Sequence, residues 1–175
     1  LGTLSVTASG YNGTYNGSDH SITVTSSGAT ITYSSDGTNY SSTKPTYRNA
    51  GTYTTYYKVS KTGYNTVTGS RTVVINKASG SVILETTLTE LVVNSTSYVG
   101  IESSTGAIKG CSSSDTSIAT CSVSGDTITI RSGKNLGSAK ITISVAASTN
   151  YNAASGNIDV FVKIYNNSYI RLSPA

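Results

Sequence analysis

Gly137-Ser138-Ala139-Lys140-Ile141-Thr142-Ile143-Ser144-Val145 is followed by a polar turn and then by Ser155-Gly156-Asn157-Ile158-Asp159-Val160-Phe161-Val162. Apolar and polar residues alternate in both runs, the period-two pattern of strands with one face buried. The chain writes this hairpin twice. Gly51 opens Tyr53-Thr54-Thr55-Tyr56-Tyr57-Lys58-Val59, and Gly63-Tyr64-Asn65, Thr68-Gly69 and Val73-Val74-Ile75 follow in the order of Asn150-Tyr151-Asn152, Ser155-Gly156 and Val160-Phe161-Val162. The period is 86 residues from Gly51 to Gly137 and 87 from Tyr64 to Tyr151, so the first strands differ by one inserted residue. A closing hairpin repeated at this interval divides the 175 residues into two β-units.

Each unit of about 80 residues can bury a core, but a thin one, often helped by a crosslink or a neighbour. Hydrophobic residues make up 36% and charged residues 11%; most of the remainder is Ser, Thr, Asn and Gly, with 13 Tyr, one Phe, no Trp and no Met. Thr, Tyr, Val and Ile suit a pleated, half-solvated surface, and Ser, Asn and Gly suit turns. That richness in β-branched and aromatic residues separates the chain from disordered polar sequences. The net charge of +4 comes from 12 basic residues spread from Lys44 to Arg171 with no run among them, whereas nucleic-acid surfaces gather Lys and Arg. No stretch approaches the roughly 20 apolar residues of a membrane span, so neither nucleic acid nor membrane insertion is expected. The start at Leu1, with no initiator Met and no signal-like segment, is what a processed protein or a piece of a longer one gives.

In chain order, Leu4, Val6 and Ala8 alternate as an opening strand. Gly10 to Ser18, with the pairs Asn12-Gly13 and Asn16-Gly17, reads as turn. Ile22-Thr23-Val24 and Thr30-Ile31-Thr32-Tyr33 are short strands about Ser26-Ser27-Gly28. Ser35-Asp36-Gly37-Thr38-Asn39 is a hairpin end, and Pro45 belongs to a loop or edge. Strands at intervals of about eight to twelve residues, with turn chemistry between them, are the pattern of a β-sandwich.

The order Tyr11-Asn12-Gly13-Thr14-Tyr15-Asn16-Gly17, Ile22-Thr23-Val24, Ile31 to Gly37 and Ala50-Gly51-Thr52-Tyr53 to Val59 resembles the bacterial immunoglobulin-like MBG or YDG surface repeats, with Asn16 where that pattern often has Asp. In the second unit, Ser113-Ser114-Asp115, Ser117-Ile118-Ala119-Thr120 and Gly137-Ser138-Ala139-Lys140-Ile141-Thr142-Ile143 are similar to the bacterial immunoglobulin-like group 2 domain. The two resemblances imply an all-β chain of two tandem immunoglobulin-like sandwiches, 1–78 and 79–163, joined at Asn76-Lys77-Ala78-Ser79-Gly80, with a tail at 164–175. They also imply a non-enzymatic extracellular module of a bacterial surface protein, a stalk or adhesive segment that is monomeric and cell-wall associated. Its partners would be neighbouring domains of a longer chain and a surface glycan or protein. A virion decoration domain and a carbohydrate-binding accessory module of a secreted enzyme are the alternatives.

Few residues invite chemistry. The group 2 resemblance implies that Cys111 and Cys121, ten apart, both lie on core-facing strands, where a disulfide would clamp the Ser-rich bend between them. By loop entropy such a bridge contributes about 2–3 kcal/mol, and an even cysteine count in a secreted-looking chain favours it; two free buried thiols are the alternative. His20 is the only His, so a zinc site lacks ligands. His20 adjoins Asp19, but neighbouring residues of a strand point to opposite faces, which rules against a Ser-His-Asp triad. The eight acids form no calcium loop and no paired-carboxylate motif. Alternation puts Lys58 and Lys140 away from the core, unlike lysines that form isopeptide crosslinks. No catalytic residue, metal or cofactor is expected. Tyr53, Tyr57 and Tyr33 fit the core face, whereas Tyr11, Tyr15 and Tyr40 fall in turns. Those three are the candidate binding surface, since an aromatic body with a polar tip suits glycan or protein. The Asn-x-Ser/Thr triplets at Asn12, Asn16, Asn39, Asn94 and Asn166 are expected by chance in so polar a chain.

Overall fold

A computed structural model of the chain describes residues 1–164. Apart from Ile164, the expected tail with Tyr165, Tyr169, Ile170 and Leu172, and the triplet at Asn166, lie outside the described residues. No helix among those residues is long and apolar enough to cross a membrane. The described residues form two compact units, Leu1–Ala78 with Thr149–Tyr151, and Ser79–Ser148 with residues 152–164.

The first unit carries β1 (Thr7–Ser9), β2 (Tyr11–Thr14), β3 (Thr23–Thr25), β4 (Thr30–Ser34), β5 (Gly51–Ser60) and β6 (Val67–Asn76). One layer is the sheet β2-β6-β5-β4, and the other is the β1-β3 pair with a bridge between His20 and Tyr47. The two layers share one core. Leu4, Ile22 and Val24 on one side meet Tyr57, Val59, Val73 and Ile75 on the other, with Tyr11, Tyr15, Tyr33, Tyr47 and Tyr53 packed around them.

The second unit carries β7 (Val82–Leu84), β8 (Leu88–Val92), β9 (Thr96–Ser104), β10 (Ile108–Ser113), β11 (Ala119–Ser124), β12 (Thr127–Ser132), β13 (Gly137–Val145) and β14 (Ala154–Lys163). Its sheets are β10-β13-β14-β8 and β11-β12-β9-β7. Val99, Ile101, Ile128 and Ile130 from one sheet meet Ile141, Ile143, Ile158 and Val160 from the other in a core of aliphatic side chains. Burying each such side chain contributes about 1.5–3 kcal/mol. Both units are immunoglobulin-like β-sandwiches.

The repeated hairpin is β5–β6 and β13–β14. Gly51 opposes Ile75 and Gly137 opposes Val162, and β5 is one residue longer than β13. The correspondence runs further. In each unit an early strand pairs antiparallel within one layer (β1 with β3, β7 with β9). The chain then crosses to the other layer, where the next strand pairs parallel with the last one (β2 with β6, β8 with β14). Where the second unit has β11 and β12, the first has only isolated bridges, Tyr33 with Ser41 and His20 with Tyr47, and Pro45 lies in the loop between them.

Two expectations for the first unit are corrected. The ladder of the opening strand begins at Thr7, although Leu4 is buried and Val6 and Ala8 face the core as the alternation requires. Tyr11 to Thr14 is strand, not turn; only the Asn16-Gly17 pair makes the expected turn, with Gly17 at φ 77°. The reason is the alternation Tyr11, Gly13, Tyr15 on the inner side, with Asn12 and Thr14 exposed, against a β6 that offers a free edge. Gly13 serves close approach here, because the Tyr11 hydroxyl lies over it where a Cβ would stand.

Gly69 repeats that arrangement in the opposite strand, where its register partner Tyr57 lays a buried ring across it. A Cβ at Gly69 meets the hydroxyl end of the buried Tyr57 ring, which must shift to admit it. Gly69→Ala is therefore expected to cost about 1–3 kcal/mol by overpacking. A thermal melt should show the first transition lowered and the second unmoved; an unchanged first transition would contradict the packing described.

Candidate functional site

Cys111 lies on β10 and Cys121 on β11, the outermost strands of the two sheets of the second unit. Across each ladder they oppose Ile143 and Ile130, both fully buried, so both sulfurs start from half-buried positions beside the core. The structure joins them in a disulfide with a Cα–Cα distance of 6.2 Å. It ties one sheet to the other where the sandwich is open at its side. The opposite side is closed by the chain itself, which passes from β7 in one sheet to β8 in the other. The corner from β8 to β9 is then held by the Ser132 hydroxyl, which donates to Val92 O (2.6 Å) and accepts from Ser95 N (2.9 Å).

The three candidate tyrosines do not form one surface. Tyr11 stacks on His20 (centroids 3.9 Å apart, planes 13° from parallel) and packs against the core. Tyr15 also packs against the core, meets Tyr151 edge-on at 5.5 Å within the first unit, and donates its backbone N–H to Asn76 O. Tyr40 is half-buried beside the Ser41 bridge, and among the described residues no ring contact joins it to the other two. Two of the three rings thus pack against the core of the first unit.

His20 and Asp19 diverge as expected of neighbours in an extended chain. The His20 ring approaches Asn16 Oδ1 (2.9 Å), while Asp19 pairs with Arg48 (2.8 Å). Lys140 pairs with Asp159 at 3.6 Å on an exposed face, an ion pair of little energetic weight. Among the described residues no three His, Cys, Asp or Glu side chains converge. A shallow groove of about 440 Å³ lies between the β9–β10 turn and the β11–β12 hairpin, lined by Ser104, Gly106, Ile108, Lys109, Val123 and Asp126.

The Asp36 turn is a tight polar cluster, and its residue pattern reads as a hairpin end without revealing how many donors converge. Asp36 Oδ1 accepts from Asn39 N and Thr38 N (2.8 Å each) and from the Ser34 hydroxyl (2.7 Å), and Oδ2 accepts from the Asn39 amide (2.7 Å). The Asn39 N–H above all, then Ser34, the Asn39 side chain and Thr38, hold the carboxyl far below its ordinary value of 3.8. Asp115 is lowered in the same way, chiefly by the Ser117 hydroxyl. Both carboxylates organise turns.

No protein-family model matches the chain, and no curated protein matches it. Among solved structures it is similar to the S-layer protein rSbsC (18% identity, TM-score 0.43, covering 82% of this chain and 23% of that one). It is also similar to the fibronectin(III)-like modules of Clostridium thermocellum CbhA (14%, TM-score 0.35, 98% of each chain). A third is the titin domains Z1Z2 in complex with telethonin (10%, TM-score 0.46, 94% of this chain and 100% of that one). The chain thus spans about a quarter of the S-layer protein that it matches. At these identities and scores none of the three bears on what this chain binds.

Two expectations follow. Reduction of the disulfide, or Cys111→Ser with Cys121→Ser, should lower the second unit's stability by about 2–3 kcal/mol and leave the first unit's transition in place, as read by calorimetry with and without reductant. For Asp36 the folded pKa is depressed, so its contribution is full above the unfolded pKa of about 4 and is lost as pH falls below it. The first transition should therefore drop between about pH 5 and pH 2, and Asp36→Asn should flatten that dependence. A dependence equally steep in the variant would remove Asp36 as its source.

Proposed function

We infer that the chain is a non-enzymatic extracellular module of a bacterial surface protein, with its two sandwiches serving as a spacer. The observation that carries this reading is the Cys111–Cys121 bridge between the two sheets. A disulfide that closes a sandwich edge is a structural one, and such bonds persist in oxidising surroundings such as the cell surface. The residues whose sequence resembles the MBG or YDG repeat and the group 2 domain support a bacterial surface setting for the first and second unit. Spacer is favoured over adhesin or carbohydrate-binding module because the rings of Tyr11 and Tyr15 pack inward. Neighbouring domains of a longer chain are then its partners, and each copy acts as a monomer.

Immunogold labelling of intact source cells, with antibody raised to these two units, tests the reading. Label is expected over the envelope. Label confined to released particles would overturn it in favour of a virion part. On a glycan array the protein should show no retention; retention lost on Tyr40→Ala would overturn the spacer role in favour of carbohydrate binding.

A further inference from the structure

We propose that the second unit carries, at Asn135-Leu136, a docking site for the closing-hairpin turn of a further sandwich, one whose turn bears an Asn followed by a Tyr. The inference rests on the spacer reading, in which neighbouring domains of a longer chain are the partners.

The first unit shows such a site in use. Thr149-Asn150-Tyr151, from the turn between β13 and β14, belongs to that compact unit. There the Ala50 N–H donates to Asn150 Oδ1 (2.8 Å), and the Asn150 amide donates to Asn49 Oδ1 (3.1 Å). One planar amide is thus read by a donor and an acceptor from adjacent residues, a pairing that an apolar side chain cannot satisfy. The Ala78 N–H donates to Asn150 O (2.8 Å), and the Tyr151 ring meets Tyr15 edge-on.

The repeat carries the same seat into the second unit. Gly51 opposes Ile75 as Gly137 opposes Val162, so Asn49-Ala50 corresponds to Asn135-Leu136. Tyr15 N donates to Asn76 O and Val93 N to Lys163 O, which places Val93 at the position of Tyr15. The donor and acceptor are therefore retained in the Leu136 N–H and the Asn135 side chain. Val93 and the larger Leu136 replace Tyr15 and Ala50 as the apolar ground for a ring. Leu136 is 53% exposed, and among the described residues neither its N–H nor the Asn135 side chain meets a hydrogen-bond partner. Ile164 is exposed as well, and both extend from the same end of the β13–β14 ladder. The residues also specify which turn fits. In the first unit's own turn, Gly63-Tyr64-Asn65, Gly2 N donates to Gly63 O as Ala78 N donates to Asn150 O, so Gly63 stands in the place of Asn150. A Gly there offers no amide. The site thus selects a following unit built like the second rather than like the first.

The test is amide hydrogen exchange, read by NMR, on the full chain and on a three-unit protein that writes the second unit twice. In the latter, residue 163 is followed by Lys77 onward to Ala175, so the joint copies the native step from Asn76 to Lys77. The tether holds the appended turn at high effective concentration, and only the residues before the joint are isotope-labelled. The labelled Leu136 N–H should exchange at least about tenfold more slowly than in the full chain. Asn150→Ala in the appended copy alone should abolish that slowing, while the buried Ile141 and Ile143 amides within β13 report that the labelled unit stays folded. An unchanged Leu136 rate would overturn the proposal, as would slowing that survives Asn150→Ala. Protection of Leu136 already present in the full chain would overturn it too. If it faded on dilution it would assign the site to a second copy, and if it did not, to residues 165–175. These outcomes are separate from the labelling result: envelope label with an unprotected Leu136 leaves a spacer whose units join by the chain alone, and protection without envelope label leaves the docking site and removes the spacer.

Discussion

The parallel ladder between the early strand and the last strand of each unit, β2 with β6 and β8 with β14, is the constraint on which the rest of both sandwiches depends. An outer strand leaves a row of N–H and C=O groups without partners. The closing hairpin alone would expose such a row along β6 or β14. The early strand covers it only if the chain first crosses from one layer to the other, and that crossing is what makes two layers enclose one core. The crossing is tight. A Cβ at Gly10 would meet the carbonyl of Thr72, and Arg71 reaches back from β6 to Ala8 O (2.9 Å).

The two units then solve the filling of the core differently. The second has enough Ile and Val to do it with aliphatic side chains, and its longer excursion into β11 and β12 completes its second sheet. That completion leaves β10 and β11 as adjacent outer strands, and the disulfide holds them together. The first unit has fewer aliphatic residues and uses tyrosines. Tyr47 and Tyr53 stack at 4.3 Å, and the Tyr47 hydroxyl reaches the fully buried Thr55 (3.0 Å). Tyrosine fills volume at the margin of a core while its hydroxyl finds a polar partner. The missing Phe and Trp are thus replaced at the cost of a polar network that must stay bonded.

How much of this was legible follows from the range of each interaction. The hairpin β13–β14 and its copy β5–β6 could be read directly, because alternation and turn residues are local. Tyr53, Tyr57 and Tyr33 followed from the same alternation. The stretch from Tyr11 to Thr14 reads as turn in the sequence because Asn12-Gly13 is turn chemistry when considered alone. Its strand state comes from a partner, Val73 to Asn76, that no local pattern announces. A turn at that place puts Tyr11 and Tyr15 among the exposed binding candidates, although both rings pack on the core. The convergence on Asp36 was illegible for a subtler reason. Ser34, Thr38 and Asn39 are ordinary turn residues, and only the curl of the backbone brings their donors to one carboxylate.

The polar residues that look chemically available in the sequence are largely occupied in holding backbone. Asp36 and Asp115 organise turns, Glu85 accepts the Gly100 N–H (3.0 Å), Ser132 fastens the β8–β9 corner, and the Asn76 amide fastens β6 to β2. A backbone N–H or C=O without a partner costs more than most single side-chain contacts return. A chain with short strands and many corners therefore needs many Ser, Thr, Asn and Asp merely to remain folded. This is why a sequence with 36% hydrophobic residues forms two sandwiches.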